Sequence, residues 1–397
     1  MALKTLQAKR LANIPPYAFA EIDKAKRAAI AAGVDVIPLT IGDPDLPTPA
    51  YVVDELVRAA ADPSTHRYPE YEGSEEFRSA VSAYYAERFG VKIDPKEEVM
   101  ALIGSKEGIA HMIWAIVDPG DVVLIPDPAY PVYRMHTLMC GGEVYSMPLT
   151  EASGYLPDFG SIPENVLKKT KMMFLNYPNN PTGAVCDIEF FREAVSLARH
   201  YGFLICHDAA YVEMAYDEVK APSILEVPGS KEVAVEFYSL SKPFNMTGWR
   251  IAAAVGQREA ISALGIVKTN TDSGQFTAIQ RAGAKALLHT PRDFIDFMNK
   301  VYTERRDILI EGLAAAGWHV PKPKGTFYAW AKVPRPMSSA QFALDLLEKT
   351  GVMVTPGSVW GVEGEGYVRL TFTLQTERIR QAVSRISDYL SEAGIRA

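Results

Sequence analysis

Ser239-Leu240-Ser241-Lys242-Pro243-Phe244-Asn245-Met246-Thr247-Gly248-Trp249-Arg250 crowds two hydroxyls, a lysine and an arginine between two apolar runs, Val233–Tyr238 and Ile251–Val255. Each run has the length and β-branched or aromatic content of a buried strand. A lysine just beyond such a strand loses part of its hydration, which lowers its pKa and turns its amine into a nucleophile suited to Schiff-base chemistry. The structural alternative is a surface lysine ahead of a proline turn.

Outward from this segment the same grammar repeats. Val99–Ile103, Val122–Ile125, Met172–Leu175 and Phe203–Cys206 are further strand candidates, separated by stretches of helical periodicity. One of these, marked by Phe77, Val81, Tyr84 and Tyr85, closes near Gly90. Alternating strands and helices predict an α/β fold around a mostly parallel sheet, in which ligands collect at the carboxyl ends of strands. The distinctive polar residues lie there: Gly104-Ser105-Lys106-Glu107-Gly108, Asp127-Pro128-Ala129-Tyr130, Asn179-Asn180-Pro181-Thr182-Gly183, His207-Asp208 and Ser239-Leu240-Ser241-Lys242.

After about residue 290 the pattern becomes that of a smaller α+β unit: helical Phe294–Leu313, extended Phe327–Ala331, a helix around Ala340–Lys349, extended Tyr367–Leu374 and a closing helix from Thr376 to about Ala393. The N-terminal segment, with Pro15-Pro16 and a helix around Glu21–Ala32, is expected to pack on that unit. This gives a discontinuous small domain of residues 1–45 and 291–397 flanking a large domain of residues 46–290. No period of 20–50 residues repeats.

Composition narrows the function. The 397 residues are 48% hydrophobic and 22% charged, values of an ordinary folded chain long enough for more than one domain. The net charge of −7, with no long run of either sign, leaves nucleic acid without an electrostatic footprint. Lys168-Lys169-Thr170-Lys171 reads as a solvated helix end or turn. No window approaches the ~20 apolar residues of a membrane span, and Met1–Arg10 lacks the apolar stretch of a signal peptide, so a cytoplasmic enzyme with no membrane contact is expected. Cys140, Cys186 and Cys206 are odd in number and widely spaced, which predicts buried, reduced thiols and neither disulfides nor a metal site. Asn245-Met246-Thr247 matches the glycosylation sequon by chance.

The common nucleotide and hydrolase signatures are absent: no GxGxxG after a strand, no GxxxxGK[ST], no HExxH and no GxSxG. Gly104-Ser105-Lys106 at a strand-to-helix turn still offers backbone N–H groups, a hydroxyl and an ammonium to an anion, although a serine there is equally an N-cap. Arg369 stands in the apolar segment Val368-Arg369-Leu370-Thr371-Phe372, where a buried guanidinium needs an anion: either a substrate carboxylate or a structural salt bridge.

Ser-Leu-Ser-Lys followed eight residues later by Arg250, with Asn180-Pro181-Thr182-Gly183 upstream and Asp208-Ala209-Ala210-Tyr211 between, resembles the class I/II aminotransferases of pyridoxal-phosphate fold type I. The resemblance runs from Ile41-Gly42-Asp43-Pro44-Asp45 to Val368-Arg369-Leu370 and implies a large domain with a seven-stranded sheet plus a smaller one. It implies pyridoxal 5'-phosphate as cofactor. Lys242 would carry it and shuttle a proton at the substrate α-carbon, two tasks for one amine within reach of one carbon. Asp208 would pair with the pyridine nitrogen, Tyr211 and Asn180 with the phenolic oxygen, and Tyr130 would stack on the ring. Ser105, Lys106, Ser239, Ser241 and Arg250 would bind the phosphate, joined by Tyr68 of a neighbouring subunit, which makes the active unit a homodimer. Arg369, helped by Asn180 and the backbone at Gly42, would hold the α-carboxylate of amino acid and 2-oxo acid substrates.

Lys268-Thr269-Asn270-Thr271-Asp272-Ser273-Gly274-Gln275-Phe276, with Gly104–Gly108 and Glu70-Tyr71-Glu72-Gly73, further resembles the bacterial LL-diaminopimelate aminotransferases. These exchange an amino group between glutamate or 2-oxoglutarate and a substrate with a distal ammonium and carboxylate. Glu70, Glu72, Asn270 and Lys106 are candidates for that distal end. Tyr71, flanked by Glu70 and Glu72, departs from the plant-type members and leaves the acidic contact unassigned. Relatives using alanine or aspartate share much of the same pattern, and a carbon–sulfur lyase would start from the same Schiff base. A noncatalytic regulatory domain of this fold usually carries an added DNA-binding segment, for which a chain starting this near the fold is expected to leave no room.

Overall fold

Unbroken apolar runs suit strands covered on both faces, and the computed structural model, which describes residues 6–11, 14, 18–392 and 394, places them so. Seven strands, β1 Val99–Leu102, β2 Val122–Asp127, β3 Glu143–Pro148, β4 Thr170–Leu175, β5 Leu204–Asp208, β6 Ala234–Ser239 and β7 Ala252–Gly256, form one sheet in the order β1-β7-β6-β5-β4-β2-β3. Only β7 runs antiparallel to its neighbours. Every residue of β1, β2, β6 and β7 is buried.

β3 escapes a reading based on apolar runs because it is an edge strand whose residues are mostly half-buried. β5 and β6 extend beyond the expected Cys206 and Tyr238, so Asp208 and Ser239 are final strand residues held by ladder bonds rather than loop residues. The two-residue period of β5 then sends successive side chains to opposite faces. Asp208 meets Tyr133 on one face, and His207 meets Glu236 on the other.

Helices start and stop where their caps dictate. α1, Glu75–Phe89, begins at Ser74, whose hydroxyl accepts the Phe77 N–H, and ends at Gly90 with φ 69°, the left-handed conformation that glycine adopts without penalty. α2, Ser105–Ile116, follows β1 through Gly104. α3, Ile188–Tyr201, is capped by Asp187 and packs on the sheet through Phe191, Ala194 and Val195. α4, Arg258–Thr269, follows β7 and lies against α2.

After the helix Thr277–His289, which still packs against α1, the architecture changes. α5 Arg292–Ala315, α6 Ser339–Thr350 and α7 Thr376–Glu392 cover an antiparallel sheet of Thr355–Pro356, Tyr367–Thr371 and Tyr328–Lys332, in which Arg369 pairs with Trp330. The N-terminal stretch joins this region: Ile37–Pro38 pairs in parallel with Val352–Met353, and Leu39 O accepts the Thr371 N–H at 3.0 Å. Residues 1–5 and Pro15-Pro16 lie outside the described residues.

The three cysteines are free, but only Cys186 and Cys206 are buried; Cys140, just after a short helix on the surface of the sheet, is half-exposed, contrary to the expectation for all three. Lys168 ends a helical turn in solvent, paired with Glu164. Among the described residues, no helix is long and apolar enough to cross a membrane.

Candidate active site

The carboxyl ends of the parallel strands open into one cleft of about 390 Å³, roofed by Thr40–Gly42, Tyr328 and Arg369. Ser105, Lys106, Tyr130, Asn180, Asp208, Tyr211, Ser239, Ser241, Lys242, Arg250, Gly42 and Arg369 all line it, although they span more than 300 positions of sequence. Tyr68 does not: it is 91% exposed on a different face, beside Asp272–Gly274.

Lys242 leaves the end of β6 with its amine inside the cleft, donating to Gly42 O at 2.6 Å. Burial, joined by the positive charges of Arg250 and Arg369, lowers its pKa from the ordinary lysine value to about 8. A useful fraction of the amine is therefore neutral near physiological pH.

Asp208 lies at the cleft floor. Its Oδ2 accepts the Tyr133 phenol at 2.7 Å, and its backbone carbonyl accepts Asn176 Nδ2 at 2.7 Å. Among the described residues Oδ1 is buried with no hydrogen-bond partner, and burial raises the carboxyl pKa above its usual range. An orphan acceptor of this kind is costly unless a donor arrives from a bound molecule.

Arg369 is 3% exposed, and no carboxylate among the described residues pairs with it, so the structural salt bridge is not formed. Its guanidinium lies between two rings, 4.0 Å from the Tyr328 centroid and 4.5 Å from that of Trp360. One Nη donates to Asn180 Oδ1 at 2.9 Å and the other to Thr40 O at 3.0 Å, while Nε has no hydrogen-bond partner among the described residues. The sandwich fixes the guanidinium plane, and unspent donors on a fixed fork suit a carboxylate.

The opposite end of the cleft is an anion cradle. Gly104, with φ 80°, is the N-cap of α2 and offers no side chain, so the serine that reads as a possible cap is the first helical residue instead. A Cβ at Gly104 would stand 2.2 Å from Arg250 Nη2, so only glycine lets the guanidinium lie against the helix start. Backbone N–H groups, Ser105, Ser239, Ser241 and Arg250 thus converge where negative charge is favoured.

One cleft thus brings together an amine, a buried carboxylate, a helix N-terminus flanked by Arg250, and a guanidinium with unspent donors. The family model for aminotransferase class I and II matches residues 34–386. The chain belongs to the class I and II aminotransferases. Among relatives, it is 53% identical to an LL-diaminopimelate aminotransferase of Moorella thermoacetica, over 97% of this chain and 99% of that protein. It is 50% identical to one of Syntrophobacter fumaroxidans, over 96% and 98%. Among solved structures, substrate-bound BacF from Bacillus subtilis matches with TM-score 0.94 and 37% identity, covering 97% of this chain and 98% of that one. A Thermus thermophilus aspartate aminotransferase mutant matches with TM-score 0.91 and 30% identity, over 96% and 99%.

The aminotransferase works on small amino and oxo acids, and in and behind the walls of its cleft stand residues that sequence reasoning passed over. Tyr133 supports Asp208, and Tyr328 contacts both Arg369 and, at 2.9 Å between hydroxyls, Tyr211. The Tyr328 hydroxyl also explains Gly42, where a Cβ would come within 2.2 Å of it. Trp360 covers Arg369 and is tied to the Tyr130 loop, its carbonyl accepting the Ala129 N–H at 2.9 Å. Aromatic residues inside apolar runs carry no signal that separates a site from a core.

Three residues expected at the distal substrate end do not line the cleft of their own chain. Glu70 is 3.6 Å from Arg78, Glu72 faces a separate hollow with Arg258, and Asn270 donates to Ile266 O on its own helix at 2.8 Å. The tyrosine-motif loop that carries the first two projects outward beside Ser273 and Gly274. Only Lys106 of that set is in the cleft.

Proposed function

We propose that this chain is a pyridoxal-phosphate-dependent LL-diaminopimelate aminotransferase of lysine biosynthesis, acting as a cytoplasmic homodimer that moves an amino group between glutamate or 2-oxoglutarate and the diaminopimelate pair. The substrate assignment is carried by the 53% identity to a relative of that name over 97% of the chain. The geometry supports the chemistry: the orphan Asp208 Oδ1 suits the N–H of a pyridinium, the α2 cradle suits a phosphate, and the Lys242 amine opens into the same cleft.

When bound, pyridoxal phosphate supplies an electron-withdrawing ring that takes up the electrons left when the substrate α-carbon loses its proton. Lys242, neutral in part because burial disfavours its charge, accepts that proton and returns it. Asp208 holds the ring nitrogen in its protonated form, and Tyr133 keeps the Asp208 carboxylate oriented. Tyr211 and Asn180 aim donors at the ring oxygen, Tyr130 covers the ring face, and Ser105, Lys106, Ser239, Ser241 and Arg250 hold the phosphate, completed by Tyr68 of a second subunit. Arg369 and Asn180 grip the α-carboxylate and so fix the α-carbon against the lysine. Residues 46–290 form the cofactor-binding domain, and residues 1–45 with 291–397 form the small one.

An alternative is an aspartate aminotransferase, favoured by the 30% identity and close overlap with the Thermus enzyme. Absorption spectra of the purified protein during separate additions of LL-diaminopimelate, glutamate, alanine and aspartate, each followed by 2-oxoglutarate, decide between them. LL-diaminopimelate and glutamate are expected to convert the cofactor, with 2-oxoglutarate reversing the change. Faster conversion by aspartate or alanine overturns the substrate assignment, and failure of any oxo acid to reverse it favours a lyase.

A further inference from the structure

We propose that Gln275 is a positioning residue for Arg250 and thereby sets how tightly this protein holds the phosphate of its cofactor. The proposal rests on the assignment of Arg250 to that phosphate made above.

Arg250 has φ 56°, a left-handed conformation that a residue bearing a Cβ keeps only when its surroundings hold it there. It follows a short 3₁₀ turn, Thr247–Trp249, and its Nη1 donates back to Thr247 O at 2.9 Å. With the backbone in this conformation, the guanidinium lies over Gly104 at the start of α2. Rotation of the backbone out of the left-handed region would swing the guanidinium away from the helix terminus.

Gln275 supplies the hold. Its Nε2 donates to the carbonyl of Arg250 at 2.7 Å and to that of Trp249 at 3.1 Å, so one carboxamide grips two consecutive peptide units of the turn. Gln275 is 6% exposed and is itself fixed. Its carbonyl accepts Gln280 Nε2 at 2.6 Å, and Gln280 Oε1 accepts the Ser74 N–H at 2.6 Å, at the N-terminus of α1. The turn before it is pinned by Asp272, which accepts the Gly274 N–H at 2.8 Å and, through its other oxygen, Lys268 Nζ at 2.9 Å. An amide relay therefore runs from the end of the tyrosine-motif loop to the phosphate-binding arginine. Of this relay only Arg250 lines the cleft; Gln275, Gln280 and Ser74 do not.

A residue that acts only through Arg250 affects ligands that carry a phosphate and spares those that do not. The test compares binding of pyridoxal 5'-phosphate and of pyridoxal, which lacks the phosphate, to cofactor-stripped full-length protein, read by absorbance. Gln275→Met keeps the length and removes both donors. It is expected to weaken the phosphorylated ligand about tenfold while pyridoxal binding stays within twofold of the unmodified protein. In an Arg250→Ala background the same substitution is expected to cause no further phosphate-specific loss, since the group it positions is gone. Equal losses for both ligands, no loss for either, or a loss that persists without Arg250 each overturns the proposal. If Gln275→Met fails to fold, Gln275→Asn, which keeps the amide but shortens its reach, carries the same comparison with the same expected selectivity. Failure of the unmodified protein to bind pyridoxal phosphate would instead overturn the functional reading above.

Discussion

Tyr133 donates its phenolic hydrogen to Asp208 Oδ2 at 2.7 Å from a ring stacked on Phe174, 4.5 Å between centroids and 5° from parallel. The stacking locks the donor, so the Asp208 carboxylate is oriented from below and presents only Oδ1 upward. Burial already raises the Asp208 pKa, and Tyr133 is the strongest influence opposing that rise. Tyr133→Phe removes it. A hydrogen bond to a charged group is worth about 1.5–3 kcal/mol, so kcat is expected to fall roughly ten- to a hundredfold. In the proposed reading catalysis needs Asp208 ionised, and an ionised carboxylate exists above its pKa. A higher pKa therefore moves the acid limb of the kcat profile to higher pH. Steady-state rates across pH check this; an unmoved acid limb with undiminished kcat removes Tyr133 from the assignment.

Lys242 gives a second pH dependence, in which the same burial moves the pKa in the opposite direction. Burial depresses its pKa to about 8, so the neutral amine prevails above about pH 8. An ordinary lysine of pKa ~10.4 would be neutral in well under 1% of molecules at pH 8. Cofactor attachment to the stripped protein is therefore expected to accelerate with rising pH and level off above about 8. Stopped-flow absorbance reads this directly. A rate still climbing tenfold per unit at pH 9.5 contradicts the depressed pKa, and Lys242→Ala is expected to abolish the borohydride-reducible linkage altogether.

Lys242, Asp208 and Arg369 were legible in the sequence because each breaks a local rule: a charged group directly beside or within an apolar run has to be paid for by chemistry or by a partner. Tyr133, Tyr328 and Trp360 break no such rule, and only the packing of the short helix Val132–Met139 on the large sheet, and of the small antiparallel sheet with the turn Gly357–Trp360, reveals that they hold the charged groups in place. The strand ends were misplaced by one or two residues for a related reason. Asp208 and Ser239 read as loop residues by polarity, yet they are the last rungs of β5 and β6, which is what makes them rigid. Edge strand β3 lacks the apolar signal because one side of it meets solvent. Glu70, Glu72 and Asn270 are named by the likeness of their stretches to the diaminopimelate enzymes and by the charges of that substrate, and neither says which way a loop projects.

In the proposed reading Arg369 holds the α-carboxylate that every amino acid shares, so its replacement should weaken all donors alike. Arg369→Lys keeps a positive charge but loses the planar fork that meets Asn180 and Thr40 and that fits between Tyr328 and Trp360. Loss of a bidentate, charge-assisted pair is expected to lower kcat/KM about a hundredfold for each donor. The ratio of LL-diaminopimelate to glutamate is expected to stay within threefold of its starting value. Parallel kcat/KM measurements with both donors check it; a large change in the ratio would make Arg369 a side-chain selector rather than the α-carboxylate site.

Tyr68 is 91% exposed and lies outside its own cleft, yet it belongs to the phosphate-binding set in the proposed reading. Both statements hold only if it reaches the cleft of a second copy. In that arrangement each working site takes Lys242 from one subunit and Tyr68 from its partner. Tyr68→Ala and Lys242→Ala proteins, each impaired alone, are then complementary. In a mixed dimer one site has both intact residues and the other has neither. Random reassortment makes half of the dimers mixed, so activity is expected to return toward about a quarter of the unmodified level. Mixing the two variants under conditions that let subunits exchange, with sedimentation to follow the dimer, tests the claim. Recovery no greater than the sum of the separate variants, with mixed dimers demonstrably formed, places Tyr68 outside the shared site.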